Sequence, residues 1–211
     1  MTSVSSANPA LLQTFVGSAN GNKVFHGVSV PEVEVQLSDN LTTFTIDAKA
    51  YASLNLSTGV ITNIGTLTET NTTIPQPNMG SEVIDSVTDA IYSPIFIDQR
   101  YTLAAGQIIS QSWTQDTSTT VLITTDGVPG TPITSTATVS ETVTTTFVGG
   151  ERITVPAGTF DTCKFIDTFS DGLTSTTTTH WILLDYGIDI LSTSGSGTVS
   201  AKTISVNGVP L

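Results

Sequence analysis

Few side chains in this sequence can do chemistry, and their spacing decides which chemistry is open to them. A serine hydrolase needs a nucleophile within hydrogen-bond reach of a base, and only His26 and His180 have the right type. Neither Gly17-Ser18 nor Gly195-Ser196-Gly197 forms the Gly-x-Ser-x-Gly elbow of that chemistry. His180 adjoins Trp181 in a threonine-rich run, where strand alternation sends the two rings to opposite faces. An exposed or hydrogen-bonded strand histidine is the plainer expectation. Cys163 sits between Thr162 and Lys164. Because Lys164 alternates to the other face, the thiol lacks a cationic setting and reads as a small buried hydrophobe. A single cysteine excludes an internal disulfide and a cysteine-based zinc cage.

The carboxylates offer more. Glu32 and Glu34 share a strand face, as paired acids for glycoside cleavage must. Sugar clefts bring aromatic platforms, however, and aromatics are 7% of the chain, so a solvated strand face is expected. Asp167 and Asp171 bracket one turn, and Asp185 and Asp189 bracket another. Such oxygen clusters suit a hard cation like calcium, although neither spacing follows the EF-hand loop. These four are weak metal candidates beside ordinary turn hydrogen bonding, and no cofactor is implied. No phosphate cradle is present, since Gly149-Gly150 leads into Glu151 rather than lysine.

The elements that must position these groups are strands. Threonine makes up about a fifth of the 211 residues, and charged residues only 11%, a composition that favours strands over helices. Val33, Val35 and Leu37 alternate with Glu32, Glu34 and Gln36, the period of a half-buried strand. Turn residues at Ser57-Thr58-Gly59, Asp126-Gly127, Gly149-Gly150, Pro156-Ala157-Gly158 and Asp171-Gly172 divide the rest into ten to thirteen strands. Two helices are expected beside them. One is short, capped by Asn8 and started by Pro9, with Leu11, Leu12, Phe15 and Val16 on one side. The other spans Ser81 to Tyr92, where Val83, Ile84, Val87, Ala90 and Ile91 recur at helical spacing and Pro94 ends the run. Ile95-Phe96-Ile97 then reads as an extended connector. Residues 1–22 form a polar lead-in and 23–211 a single antiparallel domain. The fold class is mainly β, a half-barrel or sandwich with one or two short helices packed on it.

Glu151-Arg152-Ile153-Thr154-Val155-Pro156-Ala157-Gly158-Thr159-Phe160-Asp161-Thr162 resembles a "TVPAGTFDT" signature of exported bacterial β proteins and lipoproteins of unknown function, similar to those with a LolA-like half-barrel. His180-Trp181-Ile182, Tyr186-Gly187-Ile188 and Leu103-Ala104-Ala105-Gly106-Gln107 fit the same pattern, which covers residues 101–194. Asp185 and Asp189 depart from it, standing where such proteins carry neutral or basic residues. The resemblance implies a fold and an extracytoplasmic address, not a reaction. Physically the motif is a hairpin: Pro156 enforces an extended approach, Gly158 permits the turn, and Phe160 returns a ring to the core. Thr159 or Asp161 would hydrogen-bond the turn amides.

Composition bounds the partners. Six Lys and Arg against 18 Asp and Glu, a net charge of −12, cannot build a phosphate-binding surface, so nucleic acid is excluded. No run approaches the length of a membrane-spanning helix. The expectation is a non-enzymatic, periplasmic, outer-membrane-attached or secreted module that binds a lipid or other apolar molecule, with a lipid anchor open on a removed N-terminus. The helix at 81–92 would lid the interior, and Val87, Ile91, Phe96, Trp113, Phe160 and Trp181 are the candidate ligand contacts. A surface assembly protein, pairing threonine-rich strands edge to edge, is the alternative. A hydrolase acting on lipid or carbohydrate is the third.

Overall fold

The computed structural model describes residues 1–5, 12–39, 43–75 and 81–211. Nearly all of them are strand: β1 (Thr2–Ser5), β2 (Leu12–Phe25), β3 (Val28–Asp39), β4 (Thr43–Asn55), β5 (Val60–Pro75) and β6 (Ser81–Asp98). There follow β7 (Ile108–Thr125), β8 (Val128–Pro129), β9 (Ile133–Val155), β10 (Gly158–Ser170), β11 (Ser175–Leu183), β12 (Asp189–Ser194) and β13 (Gly197–Thr203). A small C-terminal hairpin, β14 (Ser205–Val206) and β15 (Val209–Pro210), ends the chain. Neighbours pair antiparallel in the order β6-β5-β4-β3-β2-β1-β13-β12-β11-β10-β9-β7, and β6 pairs with β7 to close a 12-strand barrel. The half-barrel expectation is therefore corrected: the sheet closes on itself, with parts of β2 and β9 running beyond their neighbours on one side.

The helix expected over 81–92 is a strand. Five β-branched residues (Val83, Ile84, Val87, Thr88 and Ile91) lower its helix propensity. Registered partners on β5 and β7 then satisfy its backbone on both sides, from Glu82↔Ile74 and Glu82↔Thr125 onward. Ladder hydrogen bonding outweighs the local helical spacing. Ile95-Phe96-Ile97 belongs to the same strand rather than to a connector. The N-terminal helix is also absent where it can be judged: Leu12, Phe15 and Val16 lie in β2, and Asn8, Pro9 and Leu11 fall outside the described residues. The one helical turn among the described residues is a 3-10 segment, η1 (Arg100–Thr102), between β6 and β7.

Registered residues share a face, so the lumen can be read from the ladders. Gln111 and Ile109 on β7 stand opposite Val143 and Thr145 on β9, and these stand opposite Phe169 and Asp167 on β10. Phe165 stands opposite Phe147 and His180. The η1 turn reaches this face. Tyr101 meets the Phe165 ring edge-on at 6.0 Å. It also abuts Gly59 in the β4–β5 turn and Gly187 in the β11–β12 turn, which come from opposite walls. Trp113, Val143 and Phe165 are buried here. The alternate face of β7, β9, β10 and β11 is hydroxyl-rich, with cross-strand bonds Ser110–Thr144, Ser112–Thr142 and Thr168–Thr177.

Two smaller cores flank the lumen. Val155, Leu183, Ile190, Ala201 and Ile204 pack where the β9–β10 turn reaches β13, with the Ala157 N–H donating to the Ala201 carbonyl. Phe25, Val30 and Tyr51 pack where the end of the β2–β3 hairpin folds over β4 and β5, the Phe25 ring stacked on Tyr51 at 3.9 Å. That hairpin corrects the reading of β3. Glu32 is buried, 7% exposed, and Val33 is 41% exposed. Gly149-Gly150 is no turn either, since β9 runs through it with a register shift opposite Lys164/Phe165 and Gly149 at φ 141°.

Candidate functional site

The titratable groups that meet in the lumen come from three separate parts of the chain. Asp98 ends β6, and its Oδ1 accepts from the Arg100 amide at 2.9 Å while Oδ2 accepts from Arg100 Nε at 2.6 Å. This local clamp fixes the guanidinium, whose Nη1 lies 3.2 Å from Asp167 Oδ2 and whose plane sits over the Phe165 ring. Burial opposes the Arg100 charge, yet the Asp98 and Asp167 carboxylates outweigh it and hold its pKa above the ordinary value. Asp167 is 1% exposed, the most deeply placed carboxylate among the described residues.

His180, on β11, continues the chain of contacts. Its Nδ1 donates to Asp189 Oδ2 at 2.5 Å, since a carboxylate can only accept. Its Nε2 stands 3.8 Å from Asp167 Oδ2. Three carboxylates thus share one guanidinium and one imidazole. Oδ1 of Asp167 and Oδ1 of Asp189 are buried without partners among the described residues, so the cluster keeps acceptor capacity.

Asp189 also lines a cavity of about 700 Å³, together with Phe15, Val35, Ile188, Ser192 and Val199. The ladder explains the proximity: His180 is registered with Ser192, and Ser192 with Val199. On the far wall Phe15 is registered with Leu37 and Gly17 with Val35. Residues Ser205–Asn207 of the C-terminal segment complete the lining. The cavity is mostly apolar, with the ion cluster on one side. Among the described residues nothing nucleophilic pairs with His180: its ring nitrogens face Asp189 and Asp167. Burial pushes the Cys163 thiol pKa up, away from the thiolate.

The expected site residues scatter. Phe96 and Trp113 pack at 4.6 Å, with Tyr92 edge-on to both, in the lumen near η1. Val87 and Ile91 lie on the opposite face of β6, Val87 in a second cavity of about 640 Å³ beside Asp47, Glu69 and Asp85. Phe160 packs against the Val155 core. Trp181 donates from Nε1 to Glu151 Oε2 at 2.9 Å and lies under Lys164 Nζ, away from His180. Among the oxygen candidates, Asp167 and Asp189 come together at His180. Asp171 accepts from the Leu173 and Thr174 amides of its own turn, and Asp185 is exposed in the β11–β12 turn. No group of three or more His, Cys, Asp or Glu side chains among the described residues is placed to hold a metal ion. In the signature hairpin Thr159 bonds Thr154 through their hydroxyls, and Asp161 faces Arg152.

Sequence reasoning missed Arg100 and Asp98. The available signal was a scarce cation two residues after an aspartate, in a stretch with no period-2 pattern. No helix among the described residues is long and apolar enough to cross a membrane. No protein-family model, curated protein or solved structure matches this chain.

Proposed function

We propose that this barrel is a non-enzymatic binding or carrier module that holds one apolar or amphiphilic small molecule in its lumen, outside the cytoplasm. The observation that carries the reading is the half-open cavity of about 700 Å³ in the barrel, lined by Phe15, Val35, Ile188 and Val199 and edged by Asp189. That volume falls in the range of small-molecule sites, which combine an apolar lining with a few polar groups. Barrels of eight strands already hold one small ligand, and diameter grows with strand number.

Three features support the surroundings of the proposal. The hydroxyl rows on the outer face suit water rather than the apolar belt of a membrane barrel. The scarcity of lysine and the resemblance over residues 101–194 fit an extracytoplasmic address. The hydrolase reading loses ground because both ring nitrogens of His180 face carboxylates.

The test is extraction of the purified protein for bound lipid, followed by titration with the fluorescent apolar probe N-phenylnaphthylamine. A copurifying amphiphile near one-to-one, and probe binding lost in Val199→Trp with the fold retained, is the expected result. A protein that yields no ligand and gives no saturable probe signal sinks the proposal.

A further inference from the structure

The strand β9 outruns its neighbour. It pairs with β7 from Ile133 to Thr146, but β10 joins it only from Thr142 onward. Residues 133–141 therefore present one unpaired edge, with no other strand on that side among the described residues. Every side chain from Ile133 to Ser140 is exposed. The edge carries no charge, glycine, proline or bulge between Ile133 and Ser140. Folded proteins protect open edges with such devices.

The contrast with β2 sharpens the point. Beyond Phe15, β2 also has a neighbour on one side only, namely β3. That edge is interrupted by a register shift between Ala19 and Asn22, and carries Gly17, Gly21 and Lys23. It is blunted, and the β9 edge is not.

We infer that the 133–141 edge of β9 pairs antiparallel with the same edge of a second copy of this chain, joining two barrels through a continuous sheet. The sequence of the edge is self-complementary about Ala137. With Ala137 on the two-fold axis, Thr136 stands opposite Thr138 of the other copy and Thr134 opposite Ser140, all on one face. This is the pairing the barrel already uses between its own strands, where Ser112–Thr142, Thr120–Thr134 and Thr168–Thr177 join hydroxyls at 2.7 to 3.0 Å. The charge distribution favours the same occupant. Two copies at −12 each repel over most of their surface, and the uncharged run from Ile133 to Ser140 is where they can approach. Because one edge of this kind exists per described chain, self-pairing closes at two copies instead of growing a filament.

The experiment is sedimentation of the full chain across the micromolar range, with hydrogen exchange read on the 133–141 amides. Ala137→Lys places two ammonium groups opposite each other at the axis, and Leu56→Lys puts the same charge on an exposed position in the β4–β5 turn, at the η1 end of the barrel. The expected result is a concentration-dependent dimer whose 133–141 amides gain protection. Ala137→Lys weakens it at least about tenfold, and Leu56→Lys leaves it intact. A wild-type monomer at all concentrations, a dimer indifferent to Ala137→Lys, unchanged exchange at 133–141, or open filaments would each overturn the inference. The wild-type exchange profile decides the matter even where the lysine variant fails to fold.

Discussion

His180 Nδ1 and Asp189 Oδ2 stand 2.5 Å apart, and this contact joins the buried ion cluster to the wall of the lumen cavity. Asp189 belongs to both. Through His180 it is linked to Asp167, and through Asp167 to Arg100 and Asp98 on the η1 turn. A continuous chain of polar contacts thus runs from the cavity wall to the η1 turn.

Removing the cation from this cluster is costly. Arg100→Met leaves Asp167, 1% exposed, facing Asp98 and Asp189 without its guanidinium. Breaking a buried pair from one side typically costs about 3–5 kcal/mol. Arg100→Met/Asp167→Asn recovers part of that loss, because the orphaned charge goes with it. Guanidinium denaturation midpoints check both; a single-variant loss under about 1 kcal/mol would show that water reaches Asp167.

Alkaline pH acts through Tyr51. Burial, and then the hydrogen bond its hydroxyl donates to Glu32, pushes its pKa up to about 12 from an ordinary value near 10. A pKa raised on folding means that its contribution is complete below the unfolded value and is lost as pH climbs toward the folded one. Stability therefore declines between about pH 10 and 12. Tyr51→Phe flattens that limb without abolishing it, since burial shifts Tyr92 and Tyr101 in the same direction. Identical alkaline limbs in urea melts would contradict the assignment.

Gly65 is a position where only hydrogen fits. A Cβ there would fall 2.2 Å from the Ala90 carbonyl oxygen and 2.7 Å from the Phe25 ring. Gly65→Ala costs about 2 kcal/mol or more by overpacking. Gly17→Ala, whose Cβ meets nothing closer than the Glu34 carbonyl at 3.9 Å, stays within about 0.5 kcal/mol. Thermal melts of the pair give the comparison, and equal losses would refute it.

On the outer surface, Glu151 accepts from Trp181 Nε1 and pairs with Lys164, and these bonds, Trp181 first, hold its pKa below the usual glutamate value. Its favourable interaction is present above the ordinary carboxylate range and fades as pH falls through the lowered one. Trp181→Phe removes the indole donor and raises the Glu151 pKa. Carbon-13 NMR titration of the side-chain carboxyl resolves this; an unmoved midpoint would leave Lys164 as the sole cause.

Alternation and turn chemistry made most strands legible. The turns at Gly59, Asp126-Gly127, Pro156-Ala157 and Asp171-Gly172 lie where glycine, proline and aspartate place them. The 81–92 stretch was misread because helical spacing describes one segment by itself, whereas the strand is held by ladders that the neighbouring β5 and β7 supply on its two sides. Closure was hidden because it rests on the pairing of β1 with β13, about two hundred positions apart. Glu32 looked solvated until the β2–β3 hairpin folded over it. His180 was weighed against nucleophiles, yet its partners are carboxylates nine and thirteen positions away on other strands, a relation that only register reveals.

The seam between β1 and β13 couples residues 201 positions apart, with the Thr2 and Thr203 hydroxyls bonded at 2.7 Å. A polypeptide leaving the ribosome exposes its first stave long before the one that must lie beside it. No truncated nascent chain can complete the hoop, and loop closure over such a span is slow. The hoop is therefore complete only once β13 has emerged to lie beside β1.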